Sequence, residues 1–169
     1  MSKAFTRDDA PASDPLDELP DARPQGPRPF TPEGHARLQA ELAAARAALP
    51  PPSPDDATAR AARRAAERRL ARITALYDAA VVHAPPPAPS RAVFATWVTV
   101  EDADGALATY RLVGPDEADP AAGAISVTAP LGRALLGRAP GDELTVERPA
   151  GPLELTLLAV HAVPPPRRG

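Results

Sequence analysis

Three carboxylates, Asp116, Glu117 and Asp119, fall within one tight stretch that ends at Pro120. Self-repulsion makes such a loop poor at stabilising a fold, so it is expected to face water or a cationic partner. A second acidic pair, Asp55 and Asp56, follows Ser53-Pro54. Carboxylates are hard oxygen ligands of the kind that present magnesium in phosphoryl chemistry. Adjacent helical residues diverge by about 100°, however, and do not share a face as residues three or four apart do. The competing reading of Ser53-Pro54-Asp55-Asp56 is an N-cap followed by acids in the first helical turn. Six arginines, at 60, 63, 64, 68, 69 and 72, then crowd one segment with a single acid, Glu67. Arg60, Arg64 and Arg68 share a stripe by i, i+4 spacing. They could contact phosphate or RNA, or they could form a solvated helix face.

Other chemistry is sparse. His35, His83 and His161 are too scattered to form a metal pair, and no metal site is expected. The absence of cysteine excludes disulfides, thiolate catalysis and Cys-ligated zinc. Ser126 has no histidine motif or nucleophile elbow around it. Gly132 and Gly137 bracket a short helix without the lysine or spacing of a phosphate-binding loop. Trp97, Phe94 and Tyr110 lie on β-like runs and read as packing residues.

These groups sit on elements that proline delimits. Eighteen of the 24 prolines cluster at 11–32, 50–54, 85–89 and 164–166, which divides the chain into an arm, a hairpin, a linker, a compact domain and a tail. Residues 1–29 are acidic and proline-rich and are expected to be disordered. Residues 30–83 read as two antiparallel helices. Thr31 caps the first, Pro32 takes its first position, and Leu38, Leu42, Ala45 and Leu49 form an a/d stripe. The second carries a stripe of Ala59, Ala62, Ala66, Leu70, Ile73 and Tyr77. Its alanine-rich tip buries little area and should be the less stable end.

Residues 84–92 form a stiff linker. Residues 93–163 form an antiparallel sheet with strands expected at 93–101, 107–113, 125–128, 144–147 and 153–160 and a short helix at 130–136. Residues 164–169 are a disordered tail. The net charge of −3 argues against simple coating of nucleic acid. No apolar run approaches a membrane span of about 20 residues, and MSKAFTRDDA lacks a signal-peptide core. A soluble, cytoplasmic chain is expected.

The stretch 110–147, YRLVGPDEADPAAGAISVTAPLGRALLGRAPGDELTVE, closely resembles the C-terminal domain of the bacterial Gre transcription elongation factors. That family's stretch reads much like YRIVGPDEAD, then ISV-SP-ARALLGK, then GDEV. Thr31-Pro32-Glu33-Gly34 resembles the start of the family's first helix, residues 73–82 its exit from the second, and MSKAFTR the opening of GreB-type members. The resemblance implies an α+β fold: an N-terminal antiparallel α-helical hairpin, here a shortened coiled coil, and a C-terminal FKBP-like antiparallel sheet with one short helix. The FKBP-like fold brings no isomerase activity with it. Two departures stand out in that domain: Ala95 where the family has Gly, and Ala129 where it has Ser before Pro130.

The resemblance also implies bacterial RNA polymerase as partner. In the family, the hairpin enters the secondary channel and two tip acids hold a magnesium ion that drives hydrolysis of backtracked RNA. The acidic loop, here Asp116, Glu117, Asp119 and Pro120, docks on a helical coiled coil at the channel rim. Basic patches on the hairpin attract the RNA 3′ end, which would give Arg60, Arg64 and Arg68 a contact with nascent RNA. The family's tip motif, resembling D-L-S-E-N-A-E-Y with Asp and Glu three apart, is absent. Only Asp55 and Asp56 stand near the tip.

The hairpin is also about 15 residues shorter, which withdraws its tip by about 10 Å, whereas metal ligation tolerates errors of about 0.2 Å. The expectation is a monomeric regulator of elongation that is not an enzyme. It would have weak or no cleavage activity and no cofactor beyond the polymerase's own Mg2+. The alternative is a non-cleaving competitor for the same site, similar to the nucleoside diphosphate kinase regulators. A stand-alone nuclease built on Asp55 and Asp56 would lack a third ligand.

Overall fold

The structure, a computed structural model, describes residues 26–53, 56–149 and 151–166. Most of the expected acidic arm, Asp55 and the last three residues of the tail lie outside the described residues.

The helical hairpin forms as its caps and stripes dictate. Helix α1 (Pro32–Ala47) starts at Thr31, whose side chain accepts from Gly34 N at 3.0 Å. Helix α2 (Ala57–Ala79) is capped three residues later than the Ser53 cap expected from sequence. Asp56 is itself the cap, its Oδ1 accepting from Thr58 N at 2.8 Å and Ala59 N at 3.1 Å. An aspartate at this position satisfies two otherwise orphaned donors.

The helices run antiparallel. His35 stacks on Tyr77 at one end, Glu41 pairs with Arg69 midway, and Arg63 donates to the Pro50 carbonyl near the tip. Leu38, Leu42, Ala45 and Ile73 are buried together with Phe30, and Leu70, Leu76 and Tyr77 pack around them. Each large member of this cluster contributes about 1.5–3 kcal/mol through burial. Toward the tip the stripe thins to half-buried Ala59 and Ala66, and Ala62 is exposed.

The hairpin's base contains a pair of strands that proline content hides. Strand β1 (Arg28–Phe30) lies parallel to β2 (Ala80–Val82), with Arg28 opposite Ala80 and Phe30 opposite Val82. Ordered structure therefore begins before the boundary expected at residue 30. Pro29 is tolerated because β1 has one neighbour strand only.

The second part is a five-stranded sheet in the order β5-β4-β3-β7-β6: β3 (Trp97–Asp102), β4 (Leu107–Val113), β5 (Ala124–Ser126), β6 (Glu143–Val146) and β7 (Leu153–His161). It is mostly antiparallel, as expected, but β4 and β5 are parallel, Arg111 opposite Ala124 and Val113 opposite Ser126. The expected strand at 93–101 begins only at Trp97. Ahead of it, Thr96 Oγ1 bonds the Val93 carbonyl at 2.7 Å in a tight turn. Ala95 there has φ 67°, the one positive-φ residue besides glycine among the described residues. A family glycine at this position has its physical reason in that φ.

The linker's end belongs to the domain. Ala92 is fully buried, donates to the Arg138 carbonyl and accepts from Gly137 N, each at 2.7 Å. Val98, Val100, Leu112, Leu144, Leu155 and Leu157 form the core with Leu135.

Leu135 comes from α3 (Pro130–Leu135), which covers one sheet face. Its cap residue, Ala129, has φ −73° and ψ 157°, the values found at Thr31, but no side-chain acceptor. Ala129→Ser supplies one in a backbone already shaped for it. The substitution is expected to stabilise the protein by about 0.5–1 kcal/mol, seen as a raised urea midpoint. No helix among the described residues is long and apolar enough to cross a membrane.

Candidate functional site

The acidic loop lies where the two parts meet. Val113 ends β4, Gly114 follows, and residues Pro115–Glu117 and Pro120–Ala122 each make one 3-10 turn. Glu117 does not face water. Its carboxylate is buried against the first turn of α1, where Oε1 accepts from Thr31 N at 2.8 Å and from Thr31 Oγ1 at 3.0 Å, and Oε2 accepts from Thr31 N at 3.1 Å. Gly34 makes this possible: a Cβ there would lie 1.6 Å from Glu117 Oε1.

On either side, Arg28 Nη2 donates to Asp116 Oδ1 at 2.9 Å, and Arg111 pairs with Glu33. Arg111 also sits over the Trp97 ring, 5.4 Å from its centroid. Gly114 admits the β1 backbone, since a Cβ would fall 2.2 Å from the Pro29 carbonyl oxygen. The Thr31-Pro32-Glu33-Gly34 and Gly114-Pro115-Asp116-Glu117 segments, remote in sequence, thus form one interlocked joint.

This corrects the expectation that the whole loop faces outward. Two of its acids, Asp116 and Glu117, hold the hairpin to the sheet domain, because donors on the hairpin offset their mutual repulsion. Asp119 caps the second 3-10 turn through Ala122 N at 3.3 Å and is exposed, as is Pro120. One sequence signal for the joint was present. A glycine inside the first turn of a helix costs about 1 kcal/mol relative to alanine and so marks a close approach.

The two glutamates titrate in opposite senses. Burial pushes Glu117 above the ordinary value of 4.5, and the Thr31 backbone and hydroxyl bonds only partly offset it. The Arg111 hydrogen bond is the main cause that holds Glu33 below that value. Glu117 therefore binds its proton more tightly folded than unfolded. Its contribution is fully present below 4.5 and is lost as pH rises through the raised value. Glu33 stabilises above 4.5 and loses that contribution as pH falls through its lowered value. Glu117→Gln removes the first dependence while keeping an acceptor for Thr31. Urea midpoints measured upward from pH 4.5 should shift progressively in favour of the variant.

The remaining sequence candidates do not converge. Asp56 is the α2 cap, and Asp55 lies outside the described residues. Arg60, Arg64 and Arg68 are exposed on α2, away from the acidic loop. His83 meets Phe94 edge-on at 5.8 Å. Ser126 Oγ bonds Thr128 Oγ1 at 2.8 Å. No cluster of three or more His, Cys, Asp or Glu able to hold a metal occurs among the described residues.

The arrangement defines a two-part factor in which a capped helical hairpin is locked onto a curled sheet domain through an acidic loop. Residues 87–162 match the family described as "Transcription elongation factor, GreA/GreB, C-term". The chain is 38% identical over 141 residues to the transcription elongation factor GreA of Hyphomonas neptunium, covering 73% of this chain and 90% of that one. It is 49% identical over 71 residues to GreB of Pseudomonas aeruginosa, covering 42% of each.

The chain belongs to the GreA/GreB family of transcription elongation factors. Against several relatives it aligns over less than half their length, 44% for GreA of Desulfovibrio desulfuricans, for instance. Both GreA and GreB proteins match, so the GreB-like opening singles out neither. A solved GreA/GreB factor from Nitrosomonas europaea overlays with a TM-score of 0.40 at 26% identity, covering 79% of this chain and 98% of that one.

Proposed function

We propose that the chain binds bacterial RNA polymerase at the secondary channel and regulates elongation by occupying it, without driving transcript cleavage. The observation that supports this most is the state of Asp56. Its Oδ1 accepts two backbone N–H groups at the start of α2. That oxygen has both its lone pairs engaged, so only Oδ2 of Asp56 is left for a metal ion, and a helix cap holds the group at the start of α2. The polymerase contact falls to the exposed residues of the acidic loop, Asp116, Asp119 and Pro120. Glu117, buried against Thr31, acts on it indirectly by fixing the loop to the hairpin. Arg60, Arg64 and Arg68 face outward on α2, where nascent RNA could be met. The chain acts as a monomer, carries no cofactor of its own and is not an enzyme. This is the behaviour of a competitor for the channel.

Stalled, backtracked elongation complexes supplied with Mg2+ test the reading. The protein should bind them and leave the RNA length unchanged. Displacement of a cleaving Gre factor should follow with rising concentration. Asp119→Ala should weaken binding about tenfold, the order expected for a partly desolvated charge contact. RNA shortening that disappears with Asp56→Ala would show instead that the tip delivers metal.

A further inference from the structure

We propose that the acidic N-terminal arm of this chain docks on the exposed arginine stripe Arg64, Arg68 and Arg72 of α2. These three arginines recur at i, i+4 and i+8 and are exposed. Arg64 and Arg68 project roughly 180–220° around the helix from Ile73, away from α1.

Neighbouring charges are engaged elsewhere. Glu67 pairs with Arg63, Glu41 with Arg69 and Glu33 with Arg111. Among the described residues no acid pairs with Arg64, Arg68 or Arg72. The stripe is thus an uncompensated positive line along a helix.

The complementary charge is in the same chain. Asp8, Asp9, Asp14, Asp17, Glu18 and Asp21 form a run with no intervening lysine or arginine.

The geometry brings the two together. The arm joins β1 at Arg28, which lies opposite Ala80 at the foot of α2. Along α2, Arg72 lies about 12 Å and Arg64 about 24 Å from Ala80. Asp21 lies seven positions and Asp8 twenty positions before Arg28, chain lengths that reach at most about 25 Å and about 70 Å. Both ends of the stripe are therefore within reach of the acids from a shared origin. Because both charge sets belong to one chain, their meeting is intramolecular and independent of protein concentration. Exposed ion pairs are individually weak, so the contact depends on the set and is sensitive to salt. Where the stripe also meets RNA, the arm would compete for it.

The test uses the full chain. Because it contains no cysteine, a nitroxide placed through Ser13→Cys reports from one position. At low ionic strength, backbone amide signals of residues 61–72 should lose at least about twofold in intensity relative to the reduced label. The loss should disappear in about 0.5 M salt. It should also disappear in the Arg64→Gln, Arg68→Gln, Arg72→Gln triple variant. A second variant, with Asp8, Asp9, Asp14 and Asp17 changed to Asn, alters none of the described residues and should give the same recovery.

Single-stranded RNA that shifts the stripe signals and relieves the broadening would support a shared surface. Shifts with RNA but no broadening from the label would make the stripe a nucleic-acid surface only and overturn the proposal. Broadening that persists without the arginines would overturn it as well.

Discussion

Glu117→Ala is expected to destabilise the protein by about 2–3 kcal/mol and to free the hairpin from the sheet domain. The Thr31 backbone N–H and hydroxyl both donate to this carboxylate in a buried setting. Removing the acceptor leaves an orphaned donor there, and a bond to a charged group is worth about 1.5–3 kcal/mol. Burial of the carboxylate opposes this, since its raised pKa shows that ionisation is costly in place. The truncation relieves that cost, but it also leaves a gap against Gly34, so net loss is the expected sign.

Gly34→Ala should reach the same state sterically, because its Cβ would displace the carboxylate from Thr31. Helix propensity alone would favour alanine by about 1 kcal/mol, so a loss of stability isolates the joint. Chemical denaturation gives the energies. Amide exchange in α1 and β1, rising ahead of exchange in the sheet core, reports the undocking.

Gly132→Ala should be comparably damaging in the sheet domain. A Cβ at Gly132 would lie 2.0 Å from the Ser126 carbonyl oxygen and 3.0 Å from Val127 Cα, both backbone atoms that cannot swing aside. Gly132 lacks a positive φ, so alanine suits its backbone conformation and only the contact opposes it. Helix α3 would have to lift, drawing the fully buried Leu135 out of the core. Overpacking costs about 1–3 kcal/mol, and partial exposure of a leucine adds about 1 more. A fall of about 2–4 kcal/mol in unfolding free energy checks this, whereas an unchanged midpoint would mean that α3 is not seated as described.

Much of this was legible in the residues because local rules and tertiary structure agree. Thr31-Pro32-Glu33 capped a helix as expected, Leu38 and Leu42 faced inward, and the strand at 107–113 kept its expected bounds. What could not be read was long-range. Glu117 looked like one of three solvated acids because nothing in its neighbourhood announces Thr31, 86 positions away. β1 was hidden because a proline-rich segment reads as unstructured, although an edge strand accommodates proline. The parallel pairing of β5 was hidden because a three-residue strand carries no directional signal. The candidate site was half legible: the loop's composition pointed to it, but which acids turn inward depended on an opposing helix terminus.

The acidic loop, held to the hairpin through Glu117, is proposed to present Asp116, Asp119 and Pro120 to a polymerase. Gel filtration of the full chain with bacterial core RNA polymerase at low salt tests it most directly. Co-elution of the two, diminished by Asp119→Ala, is the predicted result. Separate elution at every salt concentration tried would contradict the account.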